Sequence, residues 1–220
     1  MSKLTFILAI TLYFFNSSSI FAQGLEIGVY AEPQLTWITS DESNIISDGS
    51  VVKLNTGIEF DAYFMPNYAI SLGLNLNNQG GRLTYGDSTI LKLEEDDLEI
   101  PAGVTVKHNY QYVGLPVGLK LTAEELGYTT FYFHGGIMPM FNINANASSS
   151  QISVVKQNIQ NEINFFNLNY YIEIGMQYRL AGNTKLVAGF KWSSGFNDVT
   201  ISDLANNNLT SAGIHAGIIF

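Results

Sequence analysis

The sequence predicts an all-β protein: an eight-stranded antiparallel closed transmembrane β-barrel, preceded by a cleaved signal peptide. Three observations predict it. Eight segments alternate apolar residues with polar or small ones, the period of a strand whose two faces meet different surroundings. Charged residues make up only 13% of the 220 and hydrophobic ones 46%, whereas an ordinary soluble domain carries roughly 25% charge. The connections between the segments are alternately short and long, as in barrels that cross an outer membrane.

The first 22 residues read as an address. Lys3 is followed by an apolar run from Leu4 to Phe15, a polar stretch at 16–19, and Ala22 just before Gln23. A basic start, a short apolar core and a small residue at the cut make a secretory signal peptide. The run is about half the roughly 20 residues of a membrane-spanning helix. Residues 23–220 then form one barrel domain, with no second domain expected. Without Lys3 the chain keeps nine bases against nineteen acids, a net charge of −10. So acidic a chain lacks the positive field that nucleic acid needs. The absence of cysteine excludes disulfides, thiolate metal sites, a cysteine nucleophile and a lipidated N-terminal cysteine.

Each strand is justified by its two faces. Residues 25–37 set Leu25, Ile27, Val29, Ala31, Leu35 and Trp37 against Glu26, Gly28, Tyr30, Glu32, Gln34 and Thr36. Residues 52–64 set Val52, Leu54, Ile58, Phe60, Ala62 and Phe64 against Lys53, Asn55, Gly57, Glu59, Asp61 and Tyr63. Residues 70–76 and 110–121 alternate in the same way, 129–141 less regularly. In 166–180 the pattern is clearest, Ile172, Ile174 and Met176 lying opposite Tyr171, Glu173, Gly175 and Gln177. Residues 185–192 and 209–220 complete the eight. A soluble ligand barrel hides its apolar face and a membrane barrel turns it outward. Segments of about 12 residues, at roughly 3.3 Å each, cross a tilted apolar band of about 25 Å. Short turns at 65–67, 122–128 and 181–184 face long loops at 38–51, 77–109, 142–165 and 193–208. Aromatics at strand ends (Trp37, Phe64, Phe166, Tyr178, Trp192, Phe220) fit two interfacial girdles. These features favour the membrane reading and an outer-membrane location. Pro116, inside a strand, removes a ladder donor, and a β-bulge is the expected accommodation.

Several segments carry a more specific likeness. Residues 110–120 (YQYVGLPVGLK), 133–139 (FHGGIMP), 174–178 (IGMQY), 190–198 (FKWSSGFND) and the terminal AGIIF of 216–220 resemble the strands of the PorT-like outer-membrane β-barrel family of Bacteroidetes. The resemblance spans the mature chain. It implies the barrel, insertion by the barrel-assembly machinery with terminal Phe220 as an assembly signal, and a role near a secretion machine; it carries no set of functional residues.

With the first strand starting in the periplasm, each charge acquires a side. Glu26, Glu32, Glu59, Asp61 and Glu173 point inward, as do Lys53, Lys120, Arg179, Lys185 and Lys191, so a neutral lumen is expected. Eight strands leave an interior just wide enough for side chains. Among tyrosines and glycines that set reads as a polar plug rather than a pore. The tight turn near 181–184, with Leu180 facing Thr184, places Glu173 opposite Lys191 and Arg179 opposite Lys185, and a lumen network of Glu173, Lys191, Glu59, Lys120 and Arg179 follows.

No catalytic residues are expected. His134 and His215 point into the lumen, His108 lies near an outer loop, and Ser193, Ser194 and Asp198 sit at the outer rim, too remote to complete a nucleophile–base pair. No Gly-rich phosphate loop or HExxH metal motif occurs, and no cofactor is expected. Carboxylates at Asp87, Glu94, Glu95, Asp96, Asp97 and Glu99 are weak candidates for a calcium or magnesium site, though the spacing fits no EF-hand and a solvated loop face is the plainer reading. The run at 144–150 (NANASSS) reads as a low-complexity outer arch. The expected partners are outer-membrane lipid, the assembly machinery and other envelope proteins. The function expected is a non-enzymatic structural or interaction role in the cell envelope, with a narrow transport or ligand-binding barrel as alternative and an outer-leaflet lipid hydrolase as a second.

Overall fold

The computed structural model describes Gly24–Leu91, Leu98–Ile152, Val154–Ile201 and Asn206–Phe220. The signal peptide assigned to residues 1–22 lies outside the described residues. Eight strands form the wall: β1 (Leu25–Ser40), β2 (Val51–Met65), β3 (Tyr68–Tyr85), β4 in two pieces (Thr105–Gly114 and Val117–Thr122), β5 (Thr129–Ser149), β6 (Phe166–Ala181), β7 (Thr184–Gly195) and β8 (Asn207–Ile219). Each pairs antiparallel with the next, and β8 pairs with β1, which closes the ring. Closure leaves no free edge through the apolar band, the condition for strands in a medium without hydrogen-bonding solvent.

The wall is inside-out relative to a soluble protein. Leu25, Ile27 and Val29 of β1, Ile70, Leu72 and Leu74 of β3, and Ile172, Ile174 and Met176 of β6 are all exposed, whereas Glu32, Asp61, Lys120, Glu173 and Lys191 are buried. Exposed apolar side chains on strand after strand would drive aggregation in water; against hydrocarbon they are in their proper solvent. Both expected faces are therefore observed. Phe220 extends β8 outward beside β1, exchanging backbone hydrogen bonds with Ile27 (Phe220 N to Ile27 O, 2.9 Å; Ile27 N to Phe220 O, 3.4 Å).

Three local expectations are corrected. No bulge exists at Pro116. Gly114 faces Asn75 and Val117 faces Leu72 on one side; the same two residues face Met140 and Ile137 on the other. Both partner strands advance three residues, so nothing is inserted. The wall simply loses one donor there, and the proline ring points inward over Gly73, where a Cβ would stand 2.8 Å from the Pro116 Cγ. The bulge lies higher, where Tyr112 faces Asn142 but Gln111 faces Asn144, leaving Ile143 extra.

Secondly, most of the 144–150 arch is strand. β5 runs to Ser149, with Ala145 and Ala147 fully buried and Asn144, Asn146 and Ser148 on the other face. Alanine is small enough to pass as a loop residue, but its alternation with Asn and Ser is the strand period.

The third correction concerns the 181–184 turn. Ala181, not Leu180, faces Thr184, with the chain reversing on Gly182 (φ +60°) and Asn183. Above that irregularity the expected register holds: Glu173 faces Lys191 and Arg179 faces Lys185.

Candidate functional site

The interior has two storeys. Near the short turns and the middle of the wall it is charged. Lys120 reaches Asp61 at 2.6 Å and Glu59 at 3.4 Å and lies 5.1 Å from the centre of the Tyr132 ring. The Tyr132 hydroxyl donates to Glu173 Oε1 at 2.5 Å. Lys191 reaches Glu32 at 3.2 Å between the rings of Tyr171 and Tyr30 (5.0 and 5.7 Å). His215 Nδ1 stands 3.8 Å from Glu32 and 3.7 Å from Glu173, and Tyr171 shares a 2.8 Å hydrogen bond with His134. Each group is placed by parity alone, alternate residues of a strand pointing to one side. Buried charges are tolerated only when paired and hydrogen-bonded, and these two lysines have both carboxylate and aromatic partners.

Nearer the long loops the interior holds an apolar cluster among buried uncharged polar groups such as Gln79, His108, Asn167 and Asn169. Ile38 and Leu83 pack with Tyr110, Tyr112, Met138, Met140 and Leu209, and the connections contribute Ile100, Val104, Ile159, Ile163 and Val199. The polar plug read from the sequence is thus joined, towards the long loops, by an apolar cluster. The cluster residues contributed by the connections lie in segments without barrel-strand period, so alternation could not reveal them; their signal is isolated Ile and Val in otherwise polar loops.

The expected lumen network is only partly assembled. Glu59 and Lys120 pair. Glu173 and Lys191 face each other along the backbone, yet Lys191 reaches over Gly213 of β8 to Glu32 on β1, the next strand but one, and Glu173 takes Tyr132. Arg179 is exposed at the rim and pairs with Glu125 of the β4–β5 turn; it does not join the network. Its like-charged neighbour Lys185 pairs with Glu26 at 2.6 Å. Lys53 also leaves the lumen, donating to Asn109 Oδ1 at 2.7 Å on the outer face. Instead of the neutral lumen expected, four carboxylates (Glu32, Glu59, Asp61, Glu173) are buried with two lysines, His215 standing between two of the carboxylates.

At the other proposed positions, Asp87 accepts from Asn44 at 2.8 Å and Glu99 sits in a hairpin of Thr89–Leu91 with Leu98–Ile100, facing Ile90. Glu94, Glu95, Asp96 and Asp97 lie outside the described residues. Among the described residues no group of three or more His, Asp or Glu is arranged to hold a metal ion. Ser193 and Ser194 bond Ser211 (2.8 Å) and Thr210 (3.1 Å) rather than a histidine. His108 meets the Tyr85 hydroxyl at 3.2 Å.

A closed wall, apolar outside and charged within, defines an integral outer-membrane β-barrel. The chain belongs to the outer membrane protein beta-barrel domain family, whose pattern it matches over residues 21–200, and its location is the outer membrane. No curated protein matches it. Among solved structures it is similar to Neisserial surface protein A (12% identity, 90% of this chain and 98% of that one, TM-score 0.48). It is also similar to OprG from Pseudomonas aeruginosa (11%, 90% and 96%, TM-score 0.48) and to Ail, the attachment invasion locus protein of Yersinia pestis (13%, 89% and 98%, TM-score 0.42).

Proposed function

We propose that this barrel is a sealed, non-enzymatic envelope protein that works through the surface it presents at its loop end, in a structural or interaction role. The observation that carries this reading is the filled interior: paired charges below, packed aliphatic and aromatic side chains above. The strand likeness to PorT-like barrels of Bacteroidetes supports a place beside a secretion or gliding machine. The serine hydroxyls engaged with Ser211 and Thr210 rather than with a histidine speak against lipid hydrolysis.

Planar-bilayer recording of the purified full chain tests the reading. It should show no unitary conductance steps. Steps that vanish when Lys191 or Glu32 is changed would overturn it in favour of a narrow transport barrel. Lipid turnover by the same preparation would overturn the non-enzymatic part.

A further inference from the structure

We propose that a groove on the outer face of the wall, at the top of the apolar band, binds the phosphorylated sugar headgroup of an outer-leaflet lipid. The assignment goes beyond the sealed-barrel reading and does not depend on it.

The groove exists because two strands part company. β2 and β3 pair as far as Asn55 and Asn77. Above that level β3 leans toward β1, with the Thr36 hydroxyl donating to the Gly80 carbonyl at 2.8 Å and Gln34 Nε2 donating to Asn78 O at 2.9 Å. The end of β2 is left standing proud, and Lys53 reaches over the outward faces of β3, β4 and β5. The open groove has a volume of about 410 Å³.

Its lining is cationic and amide-rich. Lys53, Lys107 and Lys156 supply ammonium groups; Asn78, Asn109 and Gln111 supply carboxamides on the β3–β4 side, with Asn144, Asn146 and Ser148 on the β5 side. A second space of about 400 Å³ shares Lys107 and Ser148 and adds Arg82. Lys107 lies close enough to repel Lys53, and among the described residues no carboxylate stands within ion-pairing distance of Lys53, Lys107, Lys156 or Arg82. Asp48, at the upper edge, is bonded to the Thr105 hydroxyl at 3.2 Å. Four bases gathered on one face of a chain with nineteen acids call for an anion. Ammonium and guanidinium groups form strong, short hydrogen bonds to phosphate.

The amides are already ordered. Lys53 donates to Asn109 at 2.7 Å, Asn109 to Asn146 at 3.2 Å, and Gln111 to Asn78 at 3.1 Å. A carboxamide has two N–H donors and two acceptor lone pairs, so each keeps capacity for sugar hydroxyls.

Position identifies the source. The outward pair Leu76–Val113 belongs to the apolar band, and the next outward pair on the same strands is Asn78–Gln111. That is a step of two residues, about 7 Å. Exposed Ile143 borders Asn144. The groove therefore opens where acyl chains give way to headgroups, and a lipid seated in it keeps its tails on Leu76, Val113 and Ile143.

The test uses the full chain in detergent micelles with a bis-phosphorylated glucosamine-disaccharide lipid as probe, its binding followed by titration. The same lipid stripped of phosphate and soluble glucosamine 1-phosphate are the comparison arms. The phosphorylated lipid should bind at least ten-fold more tightly than either. The Lys53→Gln/Lys107→Gln variant should lose at least ten-fold in affinity, while Arg179→Gln, at the other end of the barrel, keeps it; heat-modifiable gel migration reports that each variant is folded. Equal binding of phosphorylated and dephosphorylated lipid, or an unaffected Lys53→Gln/Lys107→Gln variant, would overturn the site. Glucosamine 1-phosphate binding as tightly as the lipid would overturn the lipid as its source.

Discussion

Lys191 shows where reading along a strand stops being informative. Register correctly sets it opposite Glu173, and directly facing opposite charges contribute roughly 0.2–1 kcal/mol in ordinary sheets. Inside a barrel the long side chain also reaches past the adjacent strand, and Glu32, beyond Gly213 of β8, stands 3.2 Å away. Lys191→Met should cost roughly 3–5 kcal/mol by stranding buried carboxylate charge. A double-mutant cycle in urea should give a larger coupling for Lys191 with Glu32 than with Glu173; the reverse order would contradict the pairing over β8. At the exposed loop end, Asp41 accepts from the backbone N–H and the side-chain amide of Asn206, both at 2.7 Å. Those bonds hold its carboxyl below the usual aspartate range. A depressed native value means that the link between these loops is complete above the ordinary aspartate pKa of about 4 and is lost only as pH falls through the lower native value. An NMR titration of the Asp41 carboxyl carbon should have its midpoint below that of an aspartate in the unfolded chain; a midpoint at or above it would contradict the link.

At the level of elements, all eight strands were legible because each carries its own alternation, strongest in β6. Their length was not. β3 runs on to Tyr85 and β5 to Ser149, because above the apolar band the outward face becomes Asn78, Arg82 and Thr84 on β3 and Asn144, Asn146 and Ser148 on β5, while the inward face carries Leu83 and Tyr85, and Ala145 and Ala147. With the loop end outside, protease added to intact cells should cut near Asp87 and spare the 145–147 stretch, whose alanines are buried in the wall, as well as the 181–184 turn. Cleavage at 145–147 in intact cells would contradict the extended strand. The bulge escaped notice for a related reason: proline advertises itself, whereas Ile143, the inserted residue, looks like any outward side chain. Pro116 needs no insertion because Gly73 leaves room for its ring.

For the molecule as a whole, the sequence discloses the two faces of the wall, its closure and its location, since these follow from period, strand count and loop asymmetry. It does not disclose which inward side chains on non-adjacent strands meet. Which of five inward acids meets which base depends on three-dimensional proximity, and the apolar cluster near the long loops joins strand residues to loop residues such as Ile159, Ile163 and Val199 that obey no period. The account rests on a barrel that is apolar outside and closed to water within. With no native cysteine in the chain, single introduced cysteines test this directly. Ser71 is 2% exposed inside the wall and Ile174 is 60% exposed outside it. In proteoliposomes, Ser71→Cys should resist both a water-soluble and a membrane-permeant maleimide, whereas Ile174→Cys should react only with the permeant one. Rapid labelling of Ser71→Cys by the water-soluble reagent would show an aqueous channel, and equally rapid labelling of Ile174→Cys by it would remove that face from the membrane.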